Sequence, residues 1–158
     1  IIDLIKNNSI MARHLHIPIQ SGSNEILRLM NRHYDKEYFI KRIKEIRDKI
    51  DNINITTDLI VGFPGETNEL FNETIDTLKE IKFTKVHTFP YSMKSGTVAS
   101  KMKNQIDGKT KKDRVNKVIR LSDIYEYEYY KNNIGNIFDG VVEVRKDNKA
   151  INLYGAEK

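Results

Sequence analysis

Three polar residues in the first part of the chain have side chains that can bind a polar ligand. Gln20 follows a short predicted strand and can both donate and accept hydrogen bonds. Arg32 can form a forked pair with a carboxylate, and Asp58 can accept from hydroxyl or ammonium groups. Gln20 could instead stabilise a turn, and Arg32 could satisfy the last carbonyls of a helix. Asp58 is the strongest candidate, because a carboxylate buried unpaired in an apolar strand would be costly.

Glycine and proline mark the points where predicted strands end. The prolines are Pro18, Pro64 and Pro90, and Gly62 and Gly65 flank the second of them. Ligands of α/β folds bind at the carboxyl ends of the strands, so three such ends on one rim would form one site. Glycine there permits positive φ and close approach of a ligand, although the segment lacks the lysine and spacing of a phosphate-binding P-loop. Simple termination of the strands explains the same pattern equally well.

Two further groups of residues have a chemical and a structural explanation. A predicted helix from Thr110 to about Asn132 carries basic residues that could follow an RNA backbone, unless they form an ordinary solvated face. These residues are Lys111, Lys112, Arg114, Lys117 and Arg120. His14 and His16 share one face of a predicted strand, but no third ligand is near in sequence. We therefore predict imidazole hydrogen bonds in the core and no metal-binding residue.

Hydrophobic periodicity predicts strands that alternate with helices, which favours an α/β fold with a small parallel sheet. The predicted strands cover residues 14–19, 53–61 and 85–90, and helices are predicted from Asp35 and after Thr67, with Ser23 and Thr67 as N-caps. The solidly apolar end of the second strand suggests that both of its faces are covered. Residues 137–144 and 150–154 read as a β-hairpin with its turn at residues 146–148.

Composition limits what the chain can do. It has 158 residues, a formal net charge of +5 and no cysteine, so it supplies no disulfide, zinc thiolate, iron–sulfur ligand or cysteine nucleophile. No apolar run reaches the length of a membrane span, and a signal peptide is not evident, so we expect no membrane association. The chain begins with isoleucine rather than methionine, and we expect that a natural N-terminal portion is missing.

Three segments resemble motifs of the radical S-adenosylmethionine (SAM) methylthiotransferases. They are HLHIPIQSGS at residues 14–23, followed by Met30-Asn31-Arg32; DLIVGFPGET at residues 58–67; and Tyr91-Ser92 followed by Ser95-Gly96-Thr97. The resemblance implies that residues 1–134 are the C-terminal part of a (β/α) radical SAM barrel. It also implies that residues 135–158 begin a TRAM domain, a small RNA-binding β-barrel. In similar enzymes a Gln, an Arg and an Asp hold SAM, which matches Gln20, Arg32 and Asp58, with Gly62 and Gly65 lining the adenine side.

The same resemblance implies an activity and partners. The family adds a methylthio group to a modified tRNA adenosine, or in one branch to a ribosomal protein, and it uses SAM and 4Fe-4S clusters held by cysteines. We therefore expect a cytoplasmic tRNA-modifying enzyme whose cluster ligands lie outside this chain, and we expect the chain alone to be inactive. Threonylcarbamoyl-adenosine beside the anticodon is the favoured substrate. Isopentenyl-adenosine, a ribosomal protein, or a non-catalytic basic RNA-binding module are the alternatives.

Overall fold

Strands and helices alternate along most of the chain. The computed structural model describes residues 1–8, 10–144 and 151–157. The strands are β1 (His14–His16), β2 (Asn54–Val61), β3 (Lys85–Pro90), β4 (Phe138–Val144) and β5 (Ile151–Glu157). The helices are α1 (Ile2–Asn7), α2 (Asn24–Leu29), α3 (Lys36–Lys49), α4 (Asn68–Ile81) and α5 (Gly108–Asn132), with a short 3-10 turn at Ala99–Lys101. The predicted α/β class is confirmed.

The first three strands form a parallel sheet in the order β1-β2-β3. His16 pairs with Thr56 across β1 and β2, and Asp58 pairs with His87 across β2 and β3. Helices join consecutive strands, so each strand lies beside the next one in sequence, as in a (β/α) barrel. Three strands leave the sheet open, because closure of such a barrel takes about eight.

The two faces of β2 have different surroundings. Ile55, Leu59 and Val61 alternate on one face and are fully buried, as the two-residue period of a strand requires. On the opposite face, Asp58 and Ile60 are only partly buried. The expectation that β2 is covered on both faces is therefore wrong for the described chain, in which the helices cover one face of the sheet.

One hydrophobic core lies between that covered face and the helices. Its members on the helices are Phe39, Ile43 and Ile46 of α3, Phe71, Ile75 and Leu78 of α4, and Val118 of α5. These positions recur every three or four residues, which places them on the inner side of each helix. Burial of each large aliphatic or aromatic side chain contributes roughly 1.5–3 kcal/mol, and this contribution holds the sheet in place for the site at its edge.

Side-chain caps fix the starts of α3 and α4. Asp35 accepts from the Tyr38 amide at 2.7 Å, and Thr67 accepts from the Leu70 amide at 3.3 Å, which confirms the predicted Thr67 cap. Ser23 stands at the N-cap position of α2, as predicted, but its side chain makes no capping hydrogen bond. The start of α4 matters for the site, because its cap follows directly after the turn at the end of β2.

Helix α5 covers the outer edge of β3. The Val86 amide donates to the Ser122 hydroxyl at 2.9 Å, and Lys85 Nζ lies 3.2 Å from Asp123 and 2.6 Å from Glu126. The helix begins at Gly108, two residues before the predicted start, and Asp107 caps it. At Val86, the α5 hydroxyl takes the place of a further strand on the edge of β3.

The last two strands pair with each other. β4 and β5 are antiparallel, and Val144 lies opposite Ile151, which confirms two paired strands in the predicted region. The predicted turn at residues 146–148 lies outside the described residues. Among the residues that the structure describes, none of the helices combines the length and apolarity needed to cross a bilayer.

Candidate functional site

The backbone at Gln20, which follows β1, pairs with the middle of β2 next to Asp58. The Gln20 amide donates to the Asp58 carbonyl at 3.0 Å, and the Gln20 carbonyl accepts from the Ile60 amide at 2.9 Å. Gln20 has a left-handed backbone conformation, with φ of 66°, in which the chain leaves the sheet. Two residues that are 38 positions apart in sequence are thus held side by side through their backbones.

The Asp58 carboxylate lies beside histidines on the partly open face of the sheet. Asp58 Oδ2 is 3.3 Å from His16 Nε2, and the two side chains are 32% and 41% exposed. His16 Nδ1 and His14 Nε2 both lie within hydrogen-bonding distance of the Thr56 hydroxyl, at 3.0 Å and 3.2 Å. Asp58 is therefore paired on one side and accessible on the other, so it can accept hydrogen bonds from a ligand.

The histidines differ in part from the prediction. Hydrogen bonding of His14 and His16 is confirmed, but their rings are exposed on the open face of the sheet rather than in the core. Partial burial of the His14 ring, and then the nearby His16 and His87, lower the pKa of His14 below its ordinary value. In the part of the chain that the structure describes, no group of three His, Cys, Asp or Glu side chains is arranged to hold a metal ion.

The turn after β2 places two glycines in left-handed conformations. Gly62 has φ of 71° and Gly65 has φ of 90°, as expected of glycine at a sharp turn. Glu66 folds back across the turn, and its Oε1 accepts from the Gly62 amide at 2.7 Å. The third motif contacts this turn through Tyr91. The Tyr91 and Phe63 rings pack edge to face with centroids 5.2 Å apart.

Arg32 lies on the exposed surface after α2. Its segment is tied to the end of β1 by Tyr34, whose hydroxyl donates to the Ile19 carbonyl at 3.1 Å. The Tyr34 bond holds the segment that carries Arg32 near the residues after β1, and the exposure of Arg32 leaves its guanidinium accessible to a carboxylate.

The basic residues of α5 divide into two groups. Lys112, Lys117 and Arg120 are exposed, and Lys111 Nζ lies 5.2 Å from the centre of the Tyr91 ring. Arg114 corrects the expectation of an RNA contact, because its side chain is only 7% exposed and forms an ion pair with Glu66 at 2.7 Å. A guanidinium committed to a buried carboxylate is not available to a phosphate backbone.

Sequence reasoning missed two sets of contacts. His16 lies beside Asp58 and His87, and Glu66 with Arg114 fixes the glycine turn. The contact of Glu66 with the turn could have been predicted from the sequence, since a carboxylate directly after a glycine turn can accept hydrogen bonds from the amides of that turn. The partners of Asp58 and Glu66 depend on strand register and helix docking, for which the sequence has no local signal.

Together, these elements form a parallel α/β domain in which polar side chains gather on the open face of the sheet. A family model described as the radical SAM superfamily matches residues 1–78. A tRNA-2-methylthio-N(6)-dimethylallyladenosine synthase of Carboxydothermus hydrogenoformans is 37% identical over 98% of this chain. The threonylcarbamoyladenosine tRNA methylthiotransferase MtaB of Bacillus subtilis is 43% identical over 85% of it. The chain is therefore a radical SAM fragment with homologues among tRNA methylthiotransferases, and the predicted resemblance is confirmed.

The likeness extends to a solved structure, but the chain spans only about a third of the length of its relatives. It covers 35% of the Carboxydothermus protein and 30% of the Bacillus protein. The coproporphyrinogen III oxidase HemN of Escherichia coli, described as a radical SAM enzyme, superposes with a TM-score of 0.64 at 22% identity. The match covers 79% of this chain and 30% of that one, and it shows the fold alone.

The donor set at the strand ends can be compared with the cofactors that the family implies. An accessible carboxylate, a neighbouring amide side chain and a glycine turn fit the ammonium, carboxylate and ribose groups of SAM. The residues of this chain do not fit the iron–sulfur cluster, because the sequence has no cysteine to supply thiolate ligands.

Proposed function

We propose that this chain is the C-terminal part of the catalytic barrel of a radical SAM tRNA methylthiotransferase, followed by the start of its TRAM domain. The observation that carries the proposal is the hydrogen-bonded junction of Gln20 and Asp58, which brings the first and second motifs to one rim. The identities to two tRNA-modifying relatives support the same conclusion. The enzyme acts in the cytoplasm on tRNA, and the upstream part of the same protein is its first partner.

Each site residue has a proposed role. The Asp58 carboxylate accepts from the ammonium or ribose hydroxyls of SAM, and Gln20 bonds its amino-acid end. Arg32 pairs with the SAM carboxylate through its forked donors, and Gly62 and Gly65 let the backbone approach the adenine. Cleavage of SAM at a 4Fe-4S cluster supplies the radical in such an enzyme, and the cysteines that hold the cluster belong to the part of the protein outside this chain.

The RNA surface is formed by the exposed cations of α5. Lys112, Lys117 and Arg120 track the tRNA backbone, and Lys111 contributes from the edge of the turn. Arg114 is left out of this set because it is buried. A surface of this kind binds RNA mainly by charge, so the identity of the modified base is read elsewhere.

Two modified adenosines are the candidate substrates. Threonylcarbamoyl-adenosine is favoured by the third motif with the segment after α2, and the Bacillus relative carries that name. Dimethylallyl-adenosine is the second candidate, because two relatives that align with 98% and 99% of the chain carry that name, the second from Alkaliphilus oremlandii. The complete protein, incubated with anticodon stem-loops that carry either modification, should add a methylthio group to one of them, as read by mass spectrometry.

Asp58→Asn tests the cofactor site directly. In the complete protein we expect the dissociation constant for SAM to rise by about tenfold or more, because a hydrogen bond to a charged group contributes roughly 1.5–3 kcal/mol. Isothermal titration calorimetry measures it, and the exposed Asp48→Asn serves as the matched control. Unchanged SAM affinity in Asp58→Asn would contradict the proposed role of Asp58. RNA binding without any SAM binding by the wild type would favour the RNA-binding module instead.

A further inference from the structure

Arg114 extends from helix α5 to the turn at the end of β2. Its Nη1 donates to Glu66 Oε1 at 2.7 Å and to the Glu66 carbonyl at 2.9 Å, and its Nη2 donates to Asn68 Oδ1 at 3.0 Å. The guanidinium also lies over the Phe71 ring, 5.2 Å from its centre. Arg114 thus contacts the turn, the start of α4 and the core with one side chain.

Glu66 transmits this contact to the glycine turn. Its side chain has no exposed surface, and the oxygen that bonds Arg114 also accepts from the Gly62 amide at 2.7 Å. The second oxygen, Oε2, is buried and has no hydrogen-bond partner among the described residues. Burial raises the pKa of Glu66, whereas the Gly62 amide and Arg114 oppose the rise. Because one Glu66 oxygen has no hydrogen-bond partner in the described part of the chain, the Glu66–Arg114 ion pair is poorly suited to stabilising the fold, and stability alone does not explain it.

The chain before Arg114 packs on the same turn from the outside. The Asn104 carbonyl accepts from the Gly65 amide at 2.8 Å. A side chain at Gly62 would collide with the Lys111 side chain at its Cγ, so the lysine stem covers this glycine closely. Residues 104–114 therefore pack against the turn, and Arg114 is the buried end of this segment.

We propose that Arg114 is a positioning residue for the cofactor site. Through Glu66 it holds the Gly62 amide, and with it the turn that follows Asp58, in the conformation that binds SAM. It does not touch the cofactor, and its burial excludes a role in RNA contact. The proposal rests on the proposed function, since it assumes that SAM is the ligand of this turn.

Two variants of the complete protein separate positioning from stability. Arg114→Met leaves Glu66 as an unpaired buried carboxylate, so we expect both the thermal midpoint and the SAM affinity to fall, the latter by about tenfold. The double variant Arg114→Met with Glu66→Gln removes that charge. Its thermal midpoint should return close to wild type, while its SAM affinity stays low and its Gly62 amide exchanges faster than in wild type.

The control is Arg42→Met, which breaks an exposed Arg42–Glu45 pair on α3 and should change neither quantity. Calorimetry gives the SAM affinity, and hydrogen exchange of the protein without SAM gives the mobility of Gly62. SAM affinity that recovers together with the thermal midpoint in the double variant would overturn the positioning role. A wild-type protein that does not bind SAM would instead overturn the proposed function, and the positioning role with it.

Discussion

At the scale of single residues, polar side chains on the open face of the sheet lie in a row that ends at Asp58. The Thr56 hydroxyl lies within hydrogen-bonding distance of His14 Nε2 and His16 Nδ1. The other ring nitrogen of His16, Nε2, lies 3.3 Å from Asp58 Oδ2. This row contacts one side of the Asp58 carboxylate and leaves its other side available to a ligand.

Acidification should weaken the fold through His14. Its pKa lies below its ordinary value in the folded chain, so the unfolded chain binds more protons between that lowered pKa and about 6.5. Stability therefore rises with pH across this window and is lost as the pH falls through it. Urea midpoints at about pH 7.5 and about pH 5.5 should differ less in His14→Gln than in wild type. An exposed-residue control, His33→Gln, should keep the wild-type difference; an equal difference in His14→Gln would contradict the prediction.

At the scale of elements, helix α5 both closes the outer edge of β3 and holds the turn at the end of β2. Ser122 bonds the edge strand, and Arg114, about two turns earlier on the helix, bonds Glu66. Val118 lies between them and is fully buried. The helix is thus fastened to the sheet along one side, and its exposed side is left for the basic residues.

Ser122→Ala tests this attachment. The Val86 amide would lose its acceptor in a buried place, which costs about 1–3 kcal/mol. We expect the free energy of unfolding, measured by urea denaturation, to fall by that amount. The exposed Ser92→Ala should be close to neutral, and a Ser122→Ala variant as stable as wild type would show that water replaces the hydroxyl.

Much of this architecture could be predicted from local patterns, and the exceptions have a common physical cause. The apolar periodicity of residues 36–49 and 68–81 located both helices, and the apolar run of β2 located the central strand. The pairing of Arg114 with Glu66 could not be predicted, because the two residues are 48 positions apart and their contact depends on how α5 packs against the turn after β2. The open face of the sheet was missed for the same reason, since an apolar run does not tell which face the helices cover.

At the scale of the whole molecule, net charge and its placement favour an RNA partner. The formal charge of +5 includes the exposed cations of α5, which are Lys112, Lys117 and Arg120. Polyanion binding of this kind releases counterions, so its strength falls with salt in proportion to the number of contacts. The buried Arg114 contributes to the count of basic residues without contributing to this surface.

Replacing Lys112, Lys117 and Arg120 together by glutamine should weaken tRNA binding and flatten its salt dependence. With about 0.7 per contact for single-stranded RNA, the slope of log K against log salt should decrease in magnitude by about 2. Fluorescence anisotropy with an anticodon stem-loop measures the slope. The triple variant of Lys41, Lys44 and Lys49 on α3 removes the same charge elsewhere, and an equal loss in that control would mean that charge alone, without a defined surface, binds the RNA.

The proposed SAM site lies in a chain that has no means of holding the cluster that would cleave SAM. Its 158 residues include no cysteine, so no thiolate of this chain can ligate iron. Supplied with iron, sulfide, a reductant, SAM and modified tRNA, the chain alone should therefore form no methylthio product by mass spectrometry. Addition of the upstream part of the protein should restore the product, whereas Asp58→Asn in the same mixture should lower it. Methylthio transfer by the chain alone would contradict the division of labour proposed for the two parts.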